Sequence, residues 1–294
     1  MTKLSDAIER GDVDAAVSEI VALGRGHADL EWTGPSRPRP AQLAAILGQA
    51  TVINALREAG ADLSTPGRSR ETLAHLAALQ GHAAVITELG RAGASLNAGD
   101  MDLMAPAHWA AQLGHATVIA ALGEAGADLN AGDRDLMTPA HWAAQHGHAA
   151  VIAALGEAGA SLNVGDRDLM APAHWAAQHG HAAVITALGR AGADLNATDA
   201  AGRTPAHWAA HNGHAAVITA LGEAGADLSA TDLSGWTPSL LATERNHPTV
   251  STALLEVEKK AGSEAAIHYT AFLDRRSRQP ADGGEPRPTR SPQH

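Results

Sequence analysis

The sequence predicts an all-α solenoid, a stack of about eight helix-turn-helix units joined by short hairpin-like fingers. Three observations carry that prediction. One tetrapeptide recurs at a fixed 33-residue step: Thr72-Leu73-Ala74-His75, Ala105-Pro106-Ala107-His108, Thr138-Pro139-Ala140-His141, Ala171-Pro172-Ala173-His174 and Thr204-Pro205-Ala206-His207, with a sixth copy, Thr237-Pro238-Ser239-Leu240, that loses the histidine. Each unit holds two apolar patterns of helical period separated by Gly-His, and glycine punctuates the end of both, as at Gly147 and Gly159. A period of this length marks an array of one small unit, which cannot bury its apolar face alone and must stack on its neighbours.

The unit that opens at Asp133 shows each element. Thr138 stands where a helix cap belongs, and Pro139 fits the first helical position, whose N–H has no partner in any case. The first helix runs to His146 and stops at Gly147, a residue that tolerates left-handed geometry. His148 starts the second helix, with Val151, Ile152 and Leu155 at helical spacing, and Gly159 ends it. The connecting finger follows and reaches Asp166, where the next unit begins.

Three segments divide the chain. Residues 1–38 read as a degenerate N-terminal capping unit, with Gly11-Asp12 in place of Gly-His and a Pro-rich link that contains Trp32. Residues 39–262 form the array, closed by a C-terminal capping unit whose last helix runs through Glu256, Glu258, Lys259 and Lys260. Terminal units of a solenoid are atypical because one face meets water. Residues 263–294 are expected to hold a short helix and then a disordered tail of Pro, Gly, Arg and Gln without apolar period.

In phase along the array, each unit gives a finger, then T-P-A-H-W-A-A or a close variant, then Gly-His, then Gly-Ala-Asp or Gly-Ala-Ser. This resembles the ankyrin repeat, from about Pro40 to about Lys260. The resemblance implies a protein–protein interaction module that binds a protein or peptide on a concave face built from finger positions and the first helix. It also implies structural roles for two histidine columns: His75, His108, His141, His174 and His207 at the helix start, and His82, His115, His148, His181 and His214 after the loop glycine.

Composition narrows the function classes. The formal net charge of −11 disfavours nucleic acid, since phosphate contact needs clustered Lys and Arg. The absence of cysteine excludes disulfides and thiolate metal sites. No apolar run has signal-peptide or membrane-spanning length, so a cytoplasmic, monomeric protein with no membrane partner is expected, or one delivered into a host cell by a non-classical route. No G-x-S-x-G, Walker loop, H-E-x-x-H or cysteine nucleophile is present, and the expectation is a non-catalytic protein without cofactor. Histidine is abundant, with 17 copies, which keeps open a metal- or pH-responsive alternative. Histidines one unit apart are too distant to share a zinc ion at bonds of about 2 Å, so no metal site is expected. A second alternative is an inhibitory or host-directed protein that blocks a partner enzyme.

The departures from the family pattern matter most. Trp109, Trp142, Trp175 and Trp208 follow the motif histidine, and Gly123, Gly156, Gly189 and Gly222 sit inside the second helix, both at usual leucine positions. The expectation is volume exchange, a core indole filling the space left by shortened side chains. The fourth to sixth fingers read Asp-x-Asp-Leu-Met, with leucine where the family turn has glycine, so either the turn differs or strain is accepted. Methionine adapts to irregular partner surfaces, and the Leu-Met pair is either a binding stripe or finger-to-finger packing. The expected partner-binding face is Met101, Asp102, Met104, Gln112 and Leu113; Arg134, Asp135, Met137, Gln145 and His146; Arg167, Asp168, Met170, Gln178 and His179; then Arg203, His211, Asn212 and Trp236.

Overall fold

The computed structural model describes residues 3–24, 30, 38–260 and 262. The short helix and tail expected in 263–294, and Trp32 in the Pro-rich link, lie outside the described residues. Among the described residues the helices come in eight pairs. They are α1 (Lys3–Glu9) with α2 (Val13–Leu23), α3 (Pro40–Ile46) with α4 (Ala50–Glu58), α5 (Leu73–Gln80) with α6 (Ala83–Arg91), and α7 (Pro106–Gln112) with α8 (Ala116–Glu124). Then follow α9 (Pro139–His146) with α10 (Ala149–Glu157), α11 (Pro172–His179) with α12 (Ala182–Arg190), α13 (Pro205–Asn212) with α14 (Ala215–Glu223), and α15 (Pro238–Glu244) with α16 (Pro248–Lys260). First helices pack on first helices and second helices on second helices, so the array has two layers. No strand occurs among the described residues.

The core repeats with the sequence. The second helices α4, α6, α8, α10, α12 and α14 each supply a Val-Ile-Leu triplet with no exposed surface, such as Val151, Ile152 and Leu155. Burying each such side chain stabilises the stack by about 1.5–3 kcal/mol. The first helices meet them with small residues, Ala140, Ala143 and Ala144 in the same unit, which let the two layers approach.

The mid-helix glycines serve a different contact from the one the sequence suggested. A Cβ on Gly156 would stand 3.0 Å from Ala191 Cβ and 3.7 Å from Leu162 Cδ1, with no atom of Trp142 within 4 Å. The same holds for Gly123 against Ala158 at 2.9 Å and Gly189 against Ala224 at 3.1 Å. These glycines let the second helix of one unit approach the end of the next unit's second helix. Volume exchange with tryptophan is therefore not the reason for them, which also accounts for Gly90 occurring in a unit that carries Leu76 instead of tryptophan.

Two histidine columns tie unit to unit. Nδ1 of His141 accepts the Thr138 N–H at 3.0 Å, and His141 Nε2 lies 2.8 Å from the Met170 carbonyl, in the next finger. A carbonyl only accepts, so Nε2 carries the proton and Nδ1 is the acceptor. The Thr138 hydroxyl, 2.8 Å away, then donates to that same Nδ1. Threonine here does not cap the helix by accepting an N–H, as expected from sequence; the histidine does the accepting. The eighth unit is an internal control: with Leu240 in the histidine column, Thr237 Oγ1 is free to accept from Leu240 N at 3.2 Å.

The loop histidines reach backward. His181 Nε2 donates to the Gln145 carbonyl and His214 Nε2 to the Gln178 carbonyl, each at 3.0 Å, closing the end of the preceding first helix. The intervening glycine is doubly constrained. Gly147 has φ of +81°, and a Cβ on it would meet His181 Nδ1 at 2.8 Å. His247 performs the same service for His211, behind Asn246 rather than glycine. Asn246 has φ of +58°, a conformation that asparagine adopts more readily than most residues.

Candidate functional site

The fingers that begin at Asp100, Asp133, Asp166 and Asp199 are each organised by that aspartate. Asp133 Oδ1 accepts the N–H of Asp135 at 2.9 Å and of Met137 at 3.0 Å. Its Oδ2 accepts the indole N–H of Trp142 at 2.9 Å. Asp100, Asp166 and Asp199 make the same three kinds of bond and are likewise buried. The tryptophan column thus anchors each finger to its own first helix. At Asp199 burial pushes the carboxyl up, but N–H donors from Arg203, Ala201 and Trp208 outweigh it and hold the group below the usual carboxylate range.

The finger tips carry the Leu-Met pairs, and the two residues point opposite ways. Met104, Met137 and Met170 are buried, at most 9% exposed. The expectation that they offer adaptable side chains to a partner is corrected: their side chains are withdrawn from the surface, and their carbonyls receive the motif histidines. The exposed member is the leucine. Leu103, Leu136 and Leu169 have φ of 61°, 61° and 59°, the values that Gly202 and Gly235 hold at 75° and 78° in the next two units. The turn is the same in all five, and the leucine units accept the strain.

Adjacent fingers are linked edge to edge. Arg134 N–H donates to the Asp102 carbonyl at 3.3 Å, and the Arg134 guanidinium reaches both the Met101 carbonyl and, at 3.7 Å, the Asp102 carboxylate. Arg167 repeats the ion pair with Asp135 at 3.6 Å and also donates to the Arg134 carbonyl. All four side chains stay largely exposed, so these pairs add little stability. Met101 and Asp168 are exposed beside them.

The ends of the first helices complete the surface. Gln112, Gln145 and Gln178 are half-buried, while Leu113, His146, His179 and Asn212 are exposed and His211 is half-buried. Gln145 Oε1 is buried without a hydrogen-bond partner. The His146 imidazole stacks on Trp142 with ring centres 5.9 Å apart and planes inclined by 7°, and His179 stacks on Trp175 at 5.9 Å and 12°. His211 meets Trp208 edge-on at 6.3 Å, and the Arg203 guanidinium lies 4.2 Å from the centre of the Trp208 ring, held from below by Asp199 at 3.0 Å. Trp236, in the finger column that holds methionine in the fourth to sixth units, is 37% exposed.

Trp109, Trp142, Trp175 and Trp208 are the residues missing from the expected face. They were expected in the core. They pack against it but remain half-buried, and Trp142, Trp175 and Trp208 each meet a histidine ring of the row. A helical step of four residues from Trp142 to His146 and from Trp175 to His179 is the signal that places both on one face. The histidines of this row are held below the ordinary imidazole range, first by partial burial and then by one another. His148 and His181 face His146; His181, His146 and His214 face His179; Arg245, Arg203 and His247 face His211. Among the described residues no three His, Asp or Glu side chains stand close enough to hold a metal ion.

The family model described as ankyrin repeats (3 copies) matches residues 41–133, 75–168, 108–199 and 173–267, which together span most of the chain. The chain belongs to the ankyrin-repeat family. Solved ankyrin-repeat structures share the architecture. The ankyrin repeat domain of Bcl-3, a member of the IkappaB family, superposes with a TM-score of 0.64 at 26% identity, over 74% of this chain and 99% of that one. The human ASB11 ankyrin repeat domain does so with 0.63 at 26% identity, over 75% and 98%. No curated protein sequence matches the chain. Ankyrin-repeat domains are in general non-catalytic protein–protein interaction modules. Among the described residues, no helix of this ankyrin-repeat protein is long and apolar enough to cross a membrane.

Proposed function

We propose that this protein is a non-catalytic module that binds a partner protein or peptide on its concave face, formed by the finger tips and the exposed ends of α7, α9, α11 and α13. The observation that carries the reading is the row of indole–imidazole pairs on consecutive units: Trp142 with His146, Trp175 with His179 and Trp208 with His211. Tryptophan, histidine and the Arg203–Trp208 stack put large, ordered contact area on a surface whose fold does not require exposed aromatics. Such residues concentrate binding energy at interfaces. The first and last helix pairs act as caps, and the protein works as a monomer in the cytosol.

A second reading makes that face pH-responsive. It is favoured by His146 and His179, which partial burial and the neighbouring histidines hold below the ordinary imidazole range, so that their protonation as pH falls would place positive charge on the row. The test uses immobilised full-length protein and an extract of the native cell. His146→Glu with His179→Glu should lose the proteins that wild type retains, whereas Ala150→Glu with Ala183→Glu, on the exposed face of α10 and α12, should keep them. Loss only with the second pair would place binding on the opposite face.

A further inference from the structure

Three neighbouring fingers hold leucine where the backbone favours glycine, and the side chains are not hidden. Leu103, Leu136 and Leu169 lie in the left-handed region and are 51%, 53% and 58% exposed. An L side chain there costs free energy, and burial does not offset it. The leucine turns also carry their own accommodation. A Cβ on Gly99, Gly132 or Gly165 would approach the leucine Cα to 3.0, 3.0 and 2.9 Å, whereas the units that keep the turn glycine have Thr198 and Thr231 at the matching place. A strained, exposed, repeated apolar residue points toward function rather than folding.

The polar surroundings are graded along the row. Asp102 and Asp135 are bridged by the arginine of the following finger. After Asp168 the following finger carries Ala200, so its exposed carboxylate receives no such arginine. The ridge therefore ends on an uncompensated negative charge, in a chain of net charge −11.

We propose that Leu103, Leu136 and Leu169 form an apolar ridge that docks one amphipathic α-helix of a partner protein, laid along the row of fingers with a basic residue at Asp168. This rests on the interaction reading above and names its partner class. Spacing selects the helix. Units stand about 10 Å apart, the distance between packed helices. An α-helix rises 1.5 Å per residue, so every seventh residue returns to one face after about 10.5 Å. A β-strand repeats a face at multiples of about 6.6 Å and falls out of step with three leucines. A polyproline helix repeats at about 9.3 Å but docks in aromatic-lined grooves, and the fingers from Asp100 to Met104, Asp133 to Met137 and Asp166 to Met170 have no aromatic residue.

The test is fluorescence anisotropy with the full chain and three labelled 21-residue peptides. The first is a Leu/Lys/Ala helix with apolar residues in a seven-residue repeat. The second has the same composition with leucine at alternate positions. The third is a Pro/Lys peptide of period three. The informative variant is Leu103→Gly with Leu136→Gly and Leu169→Gly, which places at each turn the residue already present at Gly202 and Gly235 and so leaves the fold secure. The helix should bind wild type saturably, at least tenfold more weakly to the triple glycine variant, and more weakly to Asp168→Asn; the other two peptides should not bind. Failure of the helix to bind wild type, equal binding to the glycine variant, or equal binding of either other peptide would overturn the proposal. The extract experiment keeps the two readings apart. Retained proteins lost with His146→Glu and His179→Glu but unchanged in the glycine variant would leave the interaction face standing and remove the helix-docking ridge.

Discussion

Replacing His141 by leucine tests how the units are coupled. His141 has no exposed surface, and its ring joins the Thr138 N–H to the Met170 carbonyl of the next finger. Leucine keeps the volume and removes both bonds. The Thr138 N–H then lies buried without a partner, at about 1–3 kcal/mol, while the Met170 carbonyl keeps the Asp166 N–H at 3.1 Å and loses one bond worth about 0.5–1.5 kcal/mol, so the loss should be about 1.5–4.5 kcal/mol. Part of this returns. The freed Thr138 hydroxyl can accept the N–H of residue 141, as Thr237 accepts that of Leu240, and such a cap is worth about 1 kcal/mol. His174→Leu has no such recovery, because Ala171 occupies the cap position and His174 similarly bridges Ala171 N–H and the Arg203 carbonyl. It should therefore cost about 1 kcal/mol more than His141→Leu, and Ala171→Thr should restore that difference in the His174→Leu background. Urea unfolding followed by circular dichroism measures each midpoint, with equal slopes as the check that only stability has changed. Equal losses for the two histidines, or a loss below about 1 kcal/mol for His174→Leu, would refute the bridging role.

Other outcomes follow from the same contacts. Leu136→Gly should stabilise the protein by about 1 kcal/mol, read as a raised urea midpoint, since it relieves an L residue in left-handed geometry. Trp142→Phe should destabilise by about 1.5–3 kcal/mol, because it removes the indole N–H from the buried Asp133 carboxylate while keeping a ring. Gly156→Leu should destabilise by about 1–3 kcal/mol through overpacking against Ala191, and combined with Trp142→Leu the effects should add to within about 0.5 kcal/mol; a rescue would instead revive exchange of volume between the two sites. Burial depresses the imidazoles of His75, His108, His141, His174 and His207 below 6.5, so the unfolded chain takes up protons first as pH falls. Stability should be complete above about pH 6.5 and fall as pH drops below it; a urea midpoint unchanged between pH 7 and pH 5 would contradict this.

Periodicity made the array legible, because every 33rd residue meets the same surroundings. The loop glycines and both histidine columns could be read in advance for the same reason. His247 was hidden because Asn246 replaces the glycine before it, although the backbone conformation is retained. The finger was harder. Leucine and methionine are adjacent and equally apolar, and only the three-dimensional turn decides that Leu136 faces outward while Met137 turns under the finger. The tryptophans could not be placed from composition either. Their bond to a finger aspartate nine residues earlier fixes the indole at the edge of the core, leaving a ring face for His146 or His179. The exchange of volume between tryptophan and glycine was inferred from residue sizes within a unit, whereas the close contact lies between units, from Gly156 to Ala191.

Hydrogen exchange of the full chain, free and bound to a partner recovered from the extract, tests most directly where this protein binds. The account predicts slowed exchange at the finger tips, residues 101–103, 134–136 and 167–169, and at the ends of the first helices around Gln112, Gln145 and Gln178, with no change in α10 and α12. Protection confined to Ala149–Glu157 and Ala182–Arg190 would contradict it.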